Sequence, residues 1–129
     1  MKIAFGAVLF GATMLALPVQ ADVVHGVWQT QPDDKGQIGH VRISDCGAAL
    51  CGTIVRAYDK TGNEITTKNV GKQIVSKMTP TAGGAYEGRV LVPKFNRSLN
   101  GKMEVKGKRL KISGCLLGIC NSRTWIRVN

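Results

Sequence analysis

The residues with the greatest capacity for covalent chemistry in this sequence are four cysteines in two pairs of identical spacing. Cys46 and Cys51 enclose four residues, and so do Cys115 and Cys120. Each pair lies between two strand-like segments, where a four-residue hairpin loop would place the flanking positions opposite each other. Opposed strand residues lie about 4.5 to 5.5 Å apart at Cα, within the range of a disulfide. The spacing therefore favours two local disulfides over the two crossed connectivities.

A structural zinc site is the alternative use of four cysteines. Zinc sites commonly have two to four residues between paired cysteines, so the spacing is permissible. The N-terminal sequence predicts export to an oxidising compartment, where disulfides are the default. A redox-active pair separated by two residues is absent from the sequence. We therefore expect disulfides, no bound metal and no other cofactor.

The other side chains of catalytic type form no recognisable constellation. His25 and His40 have no His, Asp or Glu at metal-ligand spacing, and Asp33-Asp34 has the composition of a solvated turn. The sequence contains no Gly-x-Ser-x-Gly, no His-Glu-x-x-His and no phosphate-binding loop. With every thiol assigned to a disulfide, no nucleophile can be nominated. We expect no catalytic residues and no enzyme activity.

The N-terminal 21 residues have the pattern of a secretory signal peptide. Lys2 is followed by an apolar run from Ile3 to Leu17, and Pro18-Val19-Gln20-Ala21 provides a small residue before the cleavage point. As a transmembrane anchor, the run would fall short of the roughly 20 residues that a bilayer requires. The pattern predicts a signal peptide over residues 1–21 and one domain over residues 22–129. We expect Sec-type export to the periplasm or the medium, and no later segment is apolar enough to span a membrane.

The exported part is strongly basic. The full chain carries a formal net charge of +10, and removal of Lys2 with the signal leaves +9. Such a protein favours anionic envelope components such as phospholipid headgroups, lipopolysaccharide phosphates or acidic glycans. Nucleic acid would suit the charge but not the compartment. A solvated surface that only keeps the protein soluble is the simpler alternative.

Strand signals recur at short intervals along the mature chain. Lys102–Lys106 and Arg109–Ser113 alternate between apolar and polar residues, as expected for strands with one dry face. Lys106-Gly107-Lys108 predicts a tight hairpin between them. The other six segments are Gly26–Thr30, Gly39–Ser44, Gly52–Tyr58, Lys72–Met78, Gly88–Val92 and Arg123–Val128. The pattern predicts an all-β fold, an eight-stranded antiparallel up-and-down barrel, with a two-sheet sandwich as the alternative.

The first and last predicted strands carry residues suited to barrel closure. Gly26-Val27-Trp28 begins the first, and Trp125 and Arg127 lie in the last. This arrangement resembles the signature of lipocalins and other calycins, in which a late basic residue packs over the tryptophan of an early Gly-x-Trp strand. An arginine over an indole contributes about 0.5 to 2 kcal/mol. Arg127 is the first candidate for that role, and Arg123 is the second.

Two longer blocks extend the resemblance. Gly39–Val55 and Gly114–Val128, together with Gly26-x-Trp28, resemble the domain-of-unknown-function family numbered 2147, small exported bacterial proteins with a lipocalin-like barrel. The segment Gly62-Asn63-Glu64-Ile65 departs from that family, because it lacks the proline usual between the third and fourth strands. The family has no established activity, so the resemblance implies fold and compartment rather than function.

Two hypotheses of function follow. In the first, the barrel holds a small apolar ligand, since an eight-stranded barrel can enclose one. Its candidate contacts are the predicted inward residues Trp28, Tyr86, Val90 and Met103. In the second, the interior is packed and the protein is an envelope or protein-interaction module. Its anionic partner would contact the outer-face residues Lys102, Lys106, Arg109 and Lys111.

The export and disulfide predictions can be checked together by mass spectrometry. Protein recovered from a bacterial periplasm should begin at Asp22 and lack four thiol hydrogens. A peptide map should then link Cys46 to Cys51. A link from Cys46 to Cys115 or to Cys120 would contradict the local pairing.

Overall fold

The computed structural model of this chain describes residues 23–129, which form nine β-strands and no helix. The predicted signal peptide lies outside the described residues. The strands are β1 (Gly26–Gln29), β2 (Ile38–Cys46), β3 (Ala49–Tyr58), β4 (Glu64–Ile65), β5 (Gln73–Pro80), β6 (Ala85–Val92), β7 (Arg97–Lys106), β8 (Arg109–Leu116) and β9 (Ile119–Arg127).

Eight of these strands form a closed antiparallel ring. Each pairs with its neighbour in the order β1, β2, β3, β5, β6, β7, β8, β9, and β9 returns to pair with β1. The two-residue strand β4 pairs only with β3 and lies outside the ring. The predicted eight-stranded up-and-down barrel is confirmed, and the sandwich alternative is wrong. Because the ring is closed, its strands present no long free edge.

The strands are longer than the sequence predicts around both cysteine pairs. The loops are two-residue turns, Gly47-Ala48 and Leu117-Gly118, rather than four-residue loops. The expectation of four-residue loops was therefore wrong, because the residues next to the cysteines continue the strand ladders. Gly47 has a φ of 71°, which suits the first position of a tight hairpin turn.

Both predicted disulfides are present, with different cross-strand geometries. Cys115 lies directly opposite Cys120, with 4.0 Å between their Cα atoms. Cys46 lies opposite Ala49, so it reaches Cys51 diagonally across 5.5 Å. Each bond therefore ties one hairpin to itself and links no distant strands.

Side chains from around the ring fill the barrel. Five side chains from four different strands have 0% exposure to water: Trp28, Val41, Val75, Met78 and Leu110. A side chain with no exposed surface borders no space large enough for a water molecule. The middle of the barrel is thus a packed core rather than a cavity.

A row of glycines allows this close packing. Gly88, Gly101 and Gly114 lie opposite one another on β6, β7 and β8. A Cβ atom added to Gly101 would lie 2.3 Å from Cγ2 of Val90 and 3.1 Å from Cε of Met78. Neighbouring side chains therefore occupy the volume that a residue larger than glycine would need.

A glycine substitution series tests whether the interior is solid. Gly101→Ala should destabilise the fold by about 1 to 3 kcal/mol, because its methyl group would overlap packed side chains. Gly114→Ala is the matched control, since its nearest contact is the flexible end of Leu99 at 3.2 Å. It should cost less than about 1 kcal/mol. Equal and small costs in urea unfolding would indicate a hollow barrel.

Candidate functional site

One end of the barrel is closed by a contact between the first and last strands. The guanidinium carbon of Arg127 lies 4.3 Å from the centre of the Trp28 ring. Arg127 also donates hydrogen bonds to the backbone oxygens of His25, at 2.9 Å, and Val23. The indole Nε1 of Trp28 donates to the backbone oxygen of Val24 at 2.8 Å. These contacts hold the residues before β1, Val23 to His25, against this end of the barrel.

The other two residues predicted for barrel closure lie beside this contact. Gly26 has a φ of 133°, and a Cβ atom there would lie 2.4 Å from the backbone oxygen of Asn129. Glycine thus makes room for the C-terminus and for Arg127. Trp125, which is 6% exposed, lies two residues before Arg127 and opposite Leu110.

The residues predicted to contact an interior ligand are part of the core. Trp28, Tyr86 and Met103 are no more than 4% exposed, and Val90 is partly buried against the same cluster. Their inward orientation follows from strand alternation, as predicted. Alternation does not distinguish a side chain that lines a cavity from one that fills the core, and here they fill it.

The opposite end of the barrel is bridged by an ion pair. Nζ of Lys94, between β6 and β7, lies 2.9 Å from a carboxylate oxygen of Asp34, between β1 and β2. These two connections are four strands apart in the eight-membered ring, so the pair spans the end. The hydrogen bond from Lys94 lowers the pKa of Asp34, and Arg123 lowers this pKa further. Both partners are exposed, so water screens their attraction.

The predicted basic face is present, but it is divided. Lys102, Lys106, Arg109 and Lys111 are exposed on the outside of β7 and β8. Lys106 lies opposite Arg109, whereas Lys111 lies opposite Glu104. Lys102 in turn lies opposite Glu87 on β6. The carboxylates moderate one half of the face, so the positive charge is most concentrated at the hairpin turn.

A shallow depression of about 190 Å³ lies on this outer face. Its polar lining includes Glu87, Lys102, Glu104 and Lys111, and Tyr86 contributes to its floor. The sequence did not indicate this mixed lining. Glu104 could have been found, because alternation places it on the same face as Lys102. Glu87 could not, because its position depends on the register between β6 and β7.

The end of the β8–β9 hairpin was also missed. We call Leu116, Leu117, Gly118 and Ile119 the apolar tip. The exposure of its three large side chains is 46% for Leu116, 93% for Leu117 and 71% for Ile119. The available signal was an unbroken apolar run where turns usually contain polar residues.

Both histidines contact side chains on neighbouring parts of the fold. Nε2 of His25 lies 3.0 Å from a carboxylate oxygen of Asp45. Nε2 of His40 lies 3.3 Å from the side-chain oxygen of Gln29, and the His40 ring contacts the ring of Tyr58. Burial lowers the pKa of His40, which favours the neutral ring. Over residues 23–129, no three His, Cys, Asp or Glu side chains are grouped as a metal site would require.

Comparison with known families identifies the family of this chain. Residues 26–127 match the family described as an uncharacterized protein conserved in bacteria, DUF2147. The chain belongs to this family. No curated protein matches the sequence.

A solved structure gives the fold. The barrel is similar to protein HP1028 from the human pathogen Helicobacter pylori, which is described as belonging to the lipocalin family. The TM-score is 0.65 at 13% sequence identity, and the match covers 84% of this chain and 85% of that one. This DUF2147 protein therefore has a lipocalin-like barrel. In the described range, no helix is long and apolar enough to cross a membrane.

A double-mutant cycle tests the contact that closes the barrel. Trp28→Ala should cost about 3 to 5 kcal/mol, as deletion of a buried aromatic usually does. Arg127→Ala should cost less, and the two effects should couple by about 0.5 to 2 kcal/mol. The control is Arg123→Ala, an exposed position on the same face of β9, which should not couple to Trp28→Ala. Additive effects for Trp28 and Arg127 would contradict an energetic contact.

Proposed function

We propose that this DUF2147 protein is an exported, non-enzymatic binding protein that contacts an anionic component of the bacterial envelope with the outside of its barrel. The observation that carries this proposal is the packed interior. Inward side chains from several strands, including Trp28, Met78 and Leu110, have no surface exposed to water. A ligand inside the barrel would have to displace them, whereas the outer face is open.

A binding role agrees with the lipocalin-like fold. The non-enzymatic part of the proposal is supported by the histidines, which contact Asp45, Gln29 and Tyr58, and by the four cysteines, which all form disulfides. Export is supported by the two disulfides, which form and persist in oxidising compartments. Membership of a bacterial family and the signal-like N-terminus agree with a periplasmic or secreted location.

Charge provides the reason for an anionic partner. Lys106 and Arg109 lie opposite each other beside Lys108 in the turn, and all three are exposed. Like charges on adjacent strands repel each other, and an anionic surface would relieve that repulsion. Each basic side chain held near an anionic membrane contributes about 1 kcal/mol of attraction.

A small apolar ligand is the second candidate, and the similarity to a lipocalin favours it. Such a ligand would have to enter at the end bridged by Lys94 and Asp34, beyond the packed core. Native mass spectrometry of protein from its own periplasm tests this candidate directly. A co-purified small molecule would favour the interior and overturn the outer-face proposal.

Charge reversal tests the outer face. Lys106→Glu with Arg109→Glu should weaken co-sedimentation with vesicles of phosphatidylglycerol and phosphatidylethanolamine by at least about tenfold. Binding of the wild type should also fall as salt rises, because ions screen the surface charge. Folding should be nearly unchanged, by no more than about 0.5 kcal/mol for each substitution.

The control has the same net charge. Lys60→Glu with Lys68→Glu reverses two exposed residues on the β3–β5 connection, across the ring from β8. This variant should retain most of the binding. Equal losses in both variants would show that only net charge matters. A wild type that binds neither these vesicles nor lipopolysaccharide at low salt would overturn the proposed function.

A further inference from the structure

We infer that the apolar tip of the β8–β9 hairpin inserts into an anionic phospholipid bilayer and anchors the basic outer face there. This inference rests on the proposed function and adds to it a partner and a second mode of contact. Charge would bring the protein to the surface, and the tip would enter the boundary between headgroups and acyl chains.

The apolar tip projects beyond the barrel. The pairing between β7 and β8 ends at Asn100 opposite Cys115, so the tip is paired only with itself. On its other side, β9 pairs with β1 only through Ile126 and Arg127. Leu117 is consequently 93% exposed and contributes nothing to the packed core.

The backbone conformation at position 117 is one that leucine adopts poorly. Leu117 has a φ of 53° and Gly118 a φ of 82°, which together form a type I′ turn. Asn-Gly is the preferred sequence for that turn, because asparagine tolerates a positive φ and leucine does so poorly. Asn96, at a φ of 49°, shows the ordinary solution in the β6–β7 connection. Leucine at position 117 is thus unfavourable both for the backbone and for hydration of the free protein.

The disulfide makes the tip a preorganised element. Cys115 and Cys120 lie directly opposite each other and close the hairpin immediately behind the four tip residues. A segment held in its bound conformation loses little conformational entropy when it binds. Three apolar side chains can therefore enter a bilayer together without a further ordering step.

The charge along the β8–β9 hairpin is complementary to an anionic lipid surface. From Val105 to Asn129 the sequence contains no acidic residue and six basic ones: Lys106, Lys108, Arg109, Lys111, Arg123 and Arg127. Gly118 and Lys102 both line a second depression on the outside of the barrel, so the end of the hairpin lies beside one residue of the basic face. β8 spans about 26 Å at 3.3 Å per residue. A flat surface laid along β8 would meet Arg109 at one end and Leu117 at the other.

The size of the tip favours a bilayer over a protein partner. A stable protein interface buries about 800 Å² on each partner. Three side chains at the end of a narrow hairpin provide only a fraction of that area. A bilayer imposes no such requirement, because each inserted side chain gains from leaving water independently.

Leu117→Asn is the decisive variant, because it should remove the anchor and improve the turn. Partition to vesicles of phosphatidylglycerol and phosphatidylethanolamine should weaken about tenfold, the loss expected for one inserted leucine. The thermal unfolding midpoint should be equal to or higher than that of the wild type. Val128→Asn, which alters an exposed apolar residue near the other end of the barrel, should bind as the wild type does.

A tryptophan probe reports insertion directly. The fluorescence emission of the tryptophan in Leu117→Trp should shift to the blue when the protein binds these vesicles, and brominated lipid should quench it. The shift should persist at salt concentrations that remove part of the charge-dependent binding.

Three results would overturn the inference. Salt-sensitive wild-type binding with an unaffected Leu117→Asn variant and no blue shift would reject the anchor and leave the proposed function standing. Absence of wild-type binding to every anionic surface at low salt would reject both. A Leu117→Asn variant that changes a dimer into a monomer, without any change in lipid binding, would assign the tip to self-association.

Discussion

Closure of the ring between β1 and β9 is the constraint on which the other features of this barrel depend. The ladder between these strands is short, with Trp28 opposite Arg127 and Gln29 opposite Ile126. Side-chain contacts supplement it, since Arg127 lies over the indole of Trp28 and binds the backbone before β1. Once the ring is closed, every inward side chain must share one confined volume. The burial of Trp28, Met78 and Leu110 follows from that confinement.

Because the interior is packed, a binding site is expected on the outer surface of the barrel. Lipocalin-like architecture is commonly associated with an enclosed ligand, but an eight-stranded barrel can equally fill its interior with side chains. In this DUF2147 protein, the side chains of Val90 on β6 and Met78 on β5 occupy the space beside Gly101 on the adjacent strand β7. Recognition would then depend on the outer faces, where charge and exposed apolar groups are distributed unevenly.

The β8–β9 hairpin concentrates both kinds of group. Its stem carries basic residues without acidic ones, and its tip exposes Leu117 and Ile119. The Cys115–Cys120 bond closes the hairpin behind the tip and joins no distant parts of the fold. A short disulfide ring contributes only about 2 kcal/mol to folding, so its main effect is to fix the local shape of this projecting element.

The sequence by itself determined the strand content, the local disulfides and which side of each strand faces inward. These features depend on period-2 alternation and on residues close together in the chain, as in Lys102–Lys106 and the two cysteine pairs. Only the tertiary structure decided that the interior is filled, that Glu87 lies beside Lys102, and that Lys94 reaches Asp34 across the barrel end. Those outcomes depend on the register between strands and on volumes contributed by side chains distant in sequence. The apolar tip depended on both sequence and tertiary structure. Its apolar composition is evident from the sequence, but its projection from the barrel depends on where β7 and β1 stop pairing with β8 and β9.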